Sequence, residues 1–238
     1  MTFEKLFGIE ESLIKETCIL LPLLKKNVLK YLDVKSLSKG KVYSSGNSGS
    51  FSVIHTGMGA PFTGDAALYL EQTQCKNIIL FGSCGLVKET KDLKVGSLVT
   101  PHKCYSLESF SNMLSEEKGT WRSFSADKDL TEIFLKTSGD HSIQKITCAT
   151  LGSLKLEEDY LEIFEQKNIH VVDMECSSLF SASKHVKKRA MALFYITDII
   201  NKKPFYIDLG DKEKTILSSS IKSAATTLCE FIEKNLSA

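Results

Sequence analysis

The chain has 238 residues, of which 42% are hydrophobic and 25% are charged, and its net charge is +1. These values predict a single folded domain over residues 1–238 and argue against a disordered chain. The near-neutral charge gives no general attraction to nucleic acid or to a membrane surface, so we expect neither as a partner.

The cysteines and histidines predict the cellular compartment of the protein and whether it has a metal site. The seven cysteines are scattered and include no C-x-x-C pair, which predicts buried, reduced thiols in a cytoplasmic protein. The five histidines are dispersed, so no metal site is expected. The charged N-terminal segment does not resemble a signal peptide, and no apolar run reaches the roughly 20 residues that span a bilayer.

Apolar runs of strand length alternate with helix-periodic segments along the chain. In the first half we predict strands at 17–22 and 51–57, a helix at 64–74 with Thr63 as its N-cap, and strands at 77–82 and 96–101. Residues 104–129 have the weakest periodicity and predict a long loop that borders a site.

The second half continues the same alternation. The predicted elements are a strand at 144–150, a helix at 156–167, a strand at 169–174, a helix at 175–185, a strand at 190–198 and a helix from about residue 213. This order predicts a three-layer α/β/α fold around a central mixed, mostly parallel sheet.

Two glycine-containing segments follow predicted strands, and ligands of open α/β sheets bind at the carboxyl ends of strands. In "TGMG" (56–59), Gly57 and Gly59 allow a sharp turn, and the next helix offers unpaired N–H groups to an anion. In "FGSCG" (81–85), Ser83 offers a hydroxyl at a strand end. A turn that only connects two elements is the alternative explanation for each segment.

Carboxylates follow two further strands. In "VDMEC" (172–176), Glu175 lies where an unpaired charge is costly, and a carboxylate can accept hydrogen bonds from the vicinal hydroxyls of a sugar. A helix N-terminal acid is the structural alternative for Asp173 or Glu175. Asp198 closes the most apolar strand, where burial raises a carboxyl pKa and suits a general acid, with a loop cap as the alternative.

The order and spacing of "TGMG", "GSCG", "VDMEC" and "ITD" resemble the nucleoside phosphorylase and nucleosidase superfamily across nearly the whole chain. The resemblance implies cleavage of an N-glycosidic bond through an oxocarbenium-like state. It implies that Met174 and Glu175 hold the ribose with Met58 near the sugar, and that Asp198 protonates or hydrogen-bonds the leaving base. The implied contacts of the base are Cys84, Gly85, Val172 and Asp173. It further implies a homo-oligomer, either a dimer or a hexamer.

The sequence departs from the family pattern at positions where family members bind phosphate. Family phosphorylases hold phosphate with arginines, but this chain has Asn27 and Leu80 at two of those positions. Inorganic phosphate is the only co-substrate to expect, and no cofactor is implied. The candidates left to bind it are Ser83, the backbone of the turn at Gly59 and the lysines, because lysine binds phosphate as a point charge. Those lysines are Lys25, Lys26 and Lys41.

Three functions follow, in decreasing order of preference. The first is phosphorolysis of a purine-type nucleoside, because Asp173 and Asp198 could meet ring nitrogens. The second is hydrolysis by a nucleosidase, which does not need the arginines but needs a carboxylate to activate water, and the segment "LLKKN" supplies none. The third is a nucleoside-binding relative without turnover, which leaves the retention of Glu175 and Asp198 unexplained.

Overall fold

One mixed sheet of ten strands forms the centre of the computed structural model, which describes residues 2–108, 121–139 and 143–236. The strands are β1 (Thr17–Leu21), β2 (Ser38–Lys39), β3 (Ser44–Asn47), β4 (Ser52–His55), β5 (Asn77–Leu86), β6 (Leu98–Leu107), β7 (Arg122–Ser125), β8 (Gln144–Leu151), β9 (Val171–Asp173) and β10 (Arg189–Ile199).

Helices connect these strands and cover the sheet. They are α1 (Phe3–Phe7), α2 (Val28–Tyr31), α3 (Ala60–Tyr69), α4 (Lys128–Thr137), α5 (Leu161–Gln166), α6 (Cys176–His185) and α7 (Asp211–Asn235). Short 3₁₀ turns lie at Glu11–Leu13, Leu70–Gln72, Leu154–Leu156 and Glu158–Tyr160. No helix in the described ranges is both long enough and apolar enough to cross a membrane.

Part of the sheet closes on itself. Strand β10 pairs with both β5 and β6, so that β5, β10, β6, β8 and β9 form a ring of paired strands, while β1, β4, β3 and β2 extend outward from β5. The longest pairings, β5 with β10 and β6 with β8, are parallel. Antiparallel pairings close the ring and join the edge strands. The predicted mixed sheet is therefore confirmed, and its closure into a ring is an additional feature.

Strict alternation of side chains across the central strands gives the three predicted layers. On β1 and β5, Leu20 and Leu80 face the side covered by α3 and α6, whereas Ile19 and Ile79 face the side covered by α4 and α7. All these positions are buried, which explains why the central strands appear in the sequence as continuous apolar runs. The predicted α/β/α architecture is confirmed.

Two predicted boundaries differ from the structure near the site. Helix α3 begins at Ala60 with Gly59 as its N-cap, so Thr63 is a buried residue inside the helix and its prediction as the cap is wrong. The conformation of Gly59, with φ of 107°, explains the early start, and Pro61 fits the first turn. Strand β5 does not stop at residue 82 but continues through Leu86, so "FGSCG" is part of a strand rather than a turn.

Two predictions about longer segments also differ. Strand β6 extends to Leu107, and β7 and the start of α4 also fall within the predicted loop at 104–129, whose residues 109–120 lie outside the described ranges. The predicted helix at 156–167 is divided into 3₁₀ turns and the short α5. This division matters for the site, because it turns one carboxylate inward.

Candidate active site

A cavity of about 560 Å³, counting the space open to solvent, lies at the carboxyl ends of β1, β5 and β10. Strands β5 and β10 run parallel to each other, as do β1 and β5, so their ends meet at this edge of the sheet. Nine of the ten site residues predicted from the sequence line the cavity: Met58, Ser83, Cys84, Gly85, Val172, Asp173, Met174, Glu175 and Asp198. The tenth, Gly59, contacts one of them directly.

Glu175 is held in place by the glycine turn that precedes α3. Its Oε1 atom accepts a hydrogen bond of 2.6 Å from the backbone N–H of Gly59. Gly59 adopts φ of 107°, a conformation that residues with a side chain rarely take, and this points its N–H toward the cavity. Burial raises the pKa of Glu175 to about 7, against the opposing effect of the N–H groups of Gly59 and Met174.

Asp173 lines the same cavity but its carboxylate is already engaged by the protein. Its Oδ2 atom accepts the N–H groups of Glu175 at 2.9 Å and Cys176 at 2.6 Å, and its Oδ1 atom accepts the Thr150 hydroxyl at 2.6 Å. These bonds satisfy N–H groups at the start of α6, which otherwise have no partner within the helix. The geometry favours the helix-terminal explanation for Asp173 and leaves Glu175 as the carboxylate offered to a ligand.

Asp198 is directed into the cavity by an irregularity of β10. The pairing with β5 shifts register between Ile196 and Asp198, so Thr197 is an extra residue that re-aims the side chains on either side. The Thr197 hydroxyl donates to Asp198 Oδ1 at 2.6 Å. Burial raises the pKa of Asp198, while the Thr197 hydrogen bond and the charge of Lys25 lower it.

A glycine opposite Asp198 makes room for this carboxylate. A Cβ atom at Gly85 would lie only 2.9 Å from Asp198 Oδ2, closer than carbon and oxygen atoms approach without a hydrogen bond. The close approach of the β5 backbone is therefore possible only because Gly85 has no side chain. It also explains why a glycine stands in the middle of a buried strand.

One carboxylate of the cavity was not predicted. Glu157 lies between the two 3₁₀ turns and is 8% exposed, whereas Leu154 and Leu156 beside it are 42% and 45% exposed. Burial raises the pKa of Glu157 to about 7, with further upward contributions from the negative charges of Asp198 and Glu158. The run "LEEDY" resembles the solvated face of a helix, so nothing in the sequence indicates an inward-facing acid there.

Lysine rather than arginine places positive charge near the cavity. The charge of half-buried Lys25 lowers the pKa of Asp198. Arg189 lies at the opposite end of β10, where its Nε donates to Asn77 Oδ1, about 30 Å along the strand from Asp198. The other candidate lysine with a defined contact, Lys41, lies beside α1, where its backbone N–H donates to the Lys5 carbonyl.

Three thiols form a cluster beneath the site. The sulfur atoms of Cys104, Cys148 and Cys176 lie within 4.8 Å of one another, and all three residues are fully buried. Cys148 also contacts Asp173 Oδ1 at 3.5 Å. Such a set could hold a thiophilic metal ion. It was not predicted, because the three residues are distant in sequence and meet only through β6, β8 and the start of α6.

Comparison of the sequence with protein families and with known proteins identifies relatives of this chain. A family model described as the phosphorylase superfamily matches residues 20–234. A DeoD-type purine nucleoside phosphorylase from Chromobacterium violaceum is 27% identical over 157 residues, which cover 63% of this chain and 63% of that protein. The chain therefore matches less than two thirds of that relative's length.

Solved structures with the same fold cover the chain almost completely. A uridine phosphorylase from Vibrio fischeri superposes with a TM-score of 0.83 at 17% identity, covering 99% of this chain and 98% of that one. A purine nucleoside phosphorylase from Toxoplasma gondii gives 0.76 at 16% identity, covering 98% of each. A 5′-methylthioadenosine/S-adenosyl homocysteine nucleosidase from Campylobacter jejuni gives 0.72 at 16%, covering 93% and 99%. At these identities the likeness shows the fold.

Proposed function

Because the chain belongs to the phosphorylase superfamily, we propose that it cleaves the N-glycosidic bond of a purine nucleoside by phosphorolysis, releasing the base and ribose 1-phosphate. The observation that carries the proposal is the presence of Glu175 and Asp198 in one cavity, each buried and each with a raised pKa. One carboxylate is suited to hold a sugar, and the other is suited to give a proton to a leaving base.

The sugar end of the cavity is defined by Glu175. Gly59 fixes one carboxylate oxygen, which leaves the other to accept hydrogen bonds from the ribose 2′ and 3′ hydroxyls. Met58 and Met174 line the cavity beside Glu175 and offer apolar surface to the ribose. Holding the ribose by two hydroxyls fixes the orientation of C1′ toward the incoming nucleophile, which lowers the entropic part of the barrier.

The base end is defined by Asp198. As the bond between C1′ and the base nitrogen breaks, negative charge develops on the purine ring, and a proton at N7 neutralises it. A carboxyl group with a raised pKa is protonated in a larger fraction of molecules near neutral pH, so Asp198 is suited to donate that proton. Cys84, Gly85 and Val172 line the cavity nearby and supply the surface against which a flat base can lie.

Phosphate is assigned to Ser83 and Lys25. Ser83 lines the cavity, and the charge of Lys25 lowers the pKa of the cavity carboxylate Asp198. A lysine ammonium can neutralise phosphate without the two-pronged geometry of arginine. Hydrolysis is the second candidate function, because no arginine lines the cavity within the described ranges and water needs no cation to hold it.

The deciding experiment is product analysis with guanosine, inosine, adenosine, uridine and methylthioadenosine, each with and without inorganic phosphate. Phosphorolysis predicts ribose 1-phosphate and free base only when phosphate is present. Free ribose at the same rate without phosphate would establish the hydrolase instead. Nucleoside binding by calorimetry with no product in either buffer would identify a binding protein and contradict both catalytic proposals.

Two substitutions separate the roles of the residues. Asp198→Asn should lower kcat by about 100- to 10,000-fold while nucleoside binding is largely retained, because only proton transfer is lost. Lys25→Met should raise the KM for phosphate by about tenfold or more, whereas Lys26→Met, an exposed neighbour, should leave it unchanged. Equal effects of the two lysine substitutions would contradict the assignment of Lys25.

A further inference from the structure

Three buried thiols converge beneath the cavity. Cys104 on β6 and Cys148 on β8 are paired directly across these parallel strands, so their side chains project from the same face of the sheet. Cys176 is the first residue of α6 and belongs to the same hydrophobic cluster on that face. All three side chains are fully buried. The fold therefore assembles, from three separate elements, a group of side chains that are metal ligands when deprotonated.

The spacing of the sulfur atoms fits a single metal ion. Because no two of them are more than 4.8 Å apart, some point lies within about 2.8 Å of all three, against about 2.3 Å for a zinc–thiolate bond. Shifts of about 0.5 Å in the side chains would therefore complete three bonds. Such shifts need only small side-chain rotations, and the strands and the helix stay in place.

A carboxylate is available as the fourth ligand. Asp173 Oδ1 lies 3.5 Å from Cys148 Sγ. In a tetrahedral zinc site, a thiolate sulfur and a carboxylate oxygen are about 3.5 Å apart. The Thr150 hydroxyl donates to the same Oδ1 atom at 2.6 Å and so orients it, as outer partners of ligating carboxylates do. The other oxygen, Oδ2, keeps its bonds to the N–H groups of Glu175 and Cys176.

The surroundings of the cluster tolerate the charge of such a centre. Three thiolates and one carboxylate carry the same charge as the four thiolates of common structural zinc sites. Cys176 lies at the start of α6, where the helix dipole favours negative charge. The thiols give up little on losing their protons, since Cys104 and Cys148 now make only 3.6 Å contacts to the carbonyls of Tyr105 and Ala149.

The ligand set and its position narrow the choice of ion. Thiolates bind zinc and copper(I) in preference to magnesium or calcium, and a carboxylate favours the divalent zinc ion over copper(I). The ion also has a route to the cluster, because Asp173 lines the cavity and contacts Cys148. One side chain thus separates the thiols from the cavity.

We propose that Cys104, Cys148, Cys176 and Asp173 bind one zinc ion, which ties β6, β8 and the start of α6 together beneath the cavity. Four protein ligands fill a tetrahedral shell, so the ion is structural and has no position for substrate. The inference is therefore independent of the proposed reaction. It also differs from the expectation of no metal site, which the scattered cysteines and histidines of the sequence suggest.

The test measures the zinc content of the native protein, Cys148→Ser and Cys75→Ala. Each is produced in zinc-supplemented medium, kept reduced with a phosphine and washed with a weak chelator. Elemental mass spectrometry should find about one zinc per chain in the native protein and less than about a tenth of that in Cys148→Ser, because a lost ligand costs more than the 10- to 100-fold of a lost outer partner. Cys75→Ala removes a buried thiol outside the cluster and should keep the zinc.

Two further readouts identify the ligands and the role of the ion. Native protein produced with cobalt in place of zinc should show a thiolate-to-cobalt charge-transfer band and the visible bands of a tetrahedral ion, and Cys148→Ser should show neither. Removing zinc with a strong chelator should lower the Tm of the native protein by about 5 °C or more and leave the Tm of Cys148→Ser unchanged.

Three outcomes overturn the inference: native protein without zinc, equal zinc in the native protein and Cys148→Ser, or a loss of zinc in Cys75→Ala as large as in Cys148→Ser. Bound cobalt without a thiolate band would also refute it. If Cys148→Ser does not fold by circular dichroism, Cys104→Ala takes its place with the same expectations. Failure of nucleoside cleavage leaves these measurements unaffected, so the proposed function and the zinc site are tested separately.

Discussion

Glu157 and Glu175 are both buried carboxylates whose pKa is raised to about 7, yet their surroundings differ. Glu175 has the backbone N–H of Gly59 as a donor, whereas Glu157 has only negative neighbours among the groups that act on it. Ionised Glu157 should therefore lower the free energy of unfolding of the ligand-free protein. The same property leaves it available to a ligand.

Glu157→Gln should stabilise the free protein at alkaline pH. Because the folded-state pKa of about 7 lies above the ordinary value of 4.5, the folded protein favours the protonated form. The stability that this group contributes is fully present below about pH 4.5 and is lost as the pH rises through about 7. After allowance for partial solvent access, the variant should gain about 1 to 2 kcal/mol in free energy of unfolding at pH 8 and about a quarter of that at pH 5.

Urea unfolding at a series of pH values measures this difference, with Glu158→Gln as the exposed control. A gain that does not change between pH 5 and pH 8 would show that packing rather than ionisation is responsible. The comparison is made without nucleoside or phosphate, since a ligand that bonds to Glu157 would favour its ionised form and hide the effect.

The sequence predicted single residues well where they follow an apolar strand. Glu175 and Asp198 stand out because an acid at the end of a buried run needs an explanation. Glu157 does not stand out, because it belongs to a run of three acids, and only the division of the predicted helix at 156–167 turns it inward. The sequence also could not show that Asp173 binds backbone N–H groups while Glu175 faces the cavity. The hydrogen bonds that Asp173 accepts from those N–H groups are seen only in the folded structure.

At the scale of elements, the site depends on how β5 and β10 pair. Parallel pairing over their whole length brings "FGSCG" beside "YITD", and the register shift at Thr197 aims Asp198 across Gly85. A regular strand would alternate strictly and would turn Asp198 to another face. The irregularity is thus what brings a carboxylate from one strand into contact with the backbone of the next.

Gly85→Ala should displace Asp198 while leaving the fold intact. The added Cβ atom would lie 2.9 Å from Asp198 Oδ2 and 3.3 Å from Val172 Cγ2, so the carboxylate must move. Because displacement of a reacting group by about 1 Å can cost 100-fold in rate, we expect kcat to fall by about 10- to 100-fold. Steady-state kinetics measures the loss, and circular dichroism confirms the fold. Gly49→Ala is the matched control, since a Cβ there meets no atom within 4 Å; similar losses in both variants would contradict the steric explanation.

At the scale of the whole molecule, several exposed apolar side chains belong to two segments that line the cavity. Phe205, Tyr206 and Ile207 are 50%, 77% and 47% exposed, and Leu154 and Leu156 are also exposed. Phe205 and Leu154 line the cavity themselves. Contiguous apolar surface beside a site is typical of an interaction surface. We propose that a second copy of the chain covers this region, in keeping with the expected homo-oligomer.

Ile207→Asp should therefore weaken self-association, because it would bury an unpaired charge in the interface. Light scattering should give at least twice the monomer mass for the native protein and a lower mass for the variant at the same concentration. Ile216→Asp, at an apolar position on α7 that is 48% exposed, is the control and should keep the native mass. A native monomer, or equal dissociation of both variants, would refute the proposed interface.

The sequence by itself determined the layers of the fold and nearly all of the cavity. Apolar runs specify buried strands because both faces of a central strand must be covered, and acids or glycines at their ends identify positions that the core does not explain. Only the tertiary structure decided the closure of the five-strand ring, the cap made by Asp173, the inward turn of Glu157 and the meeting of the three thiols. The physical reason is that these features depend on register and contacts between residues distant in the chain, which no local pattern of hydrophobicity encodes.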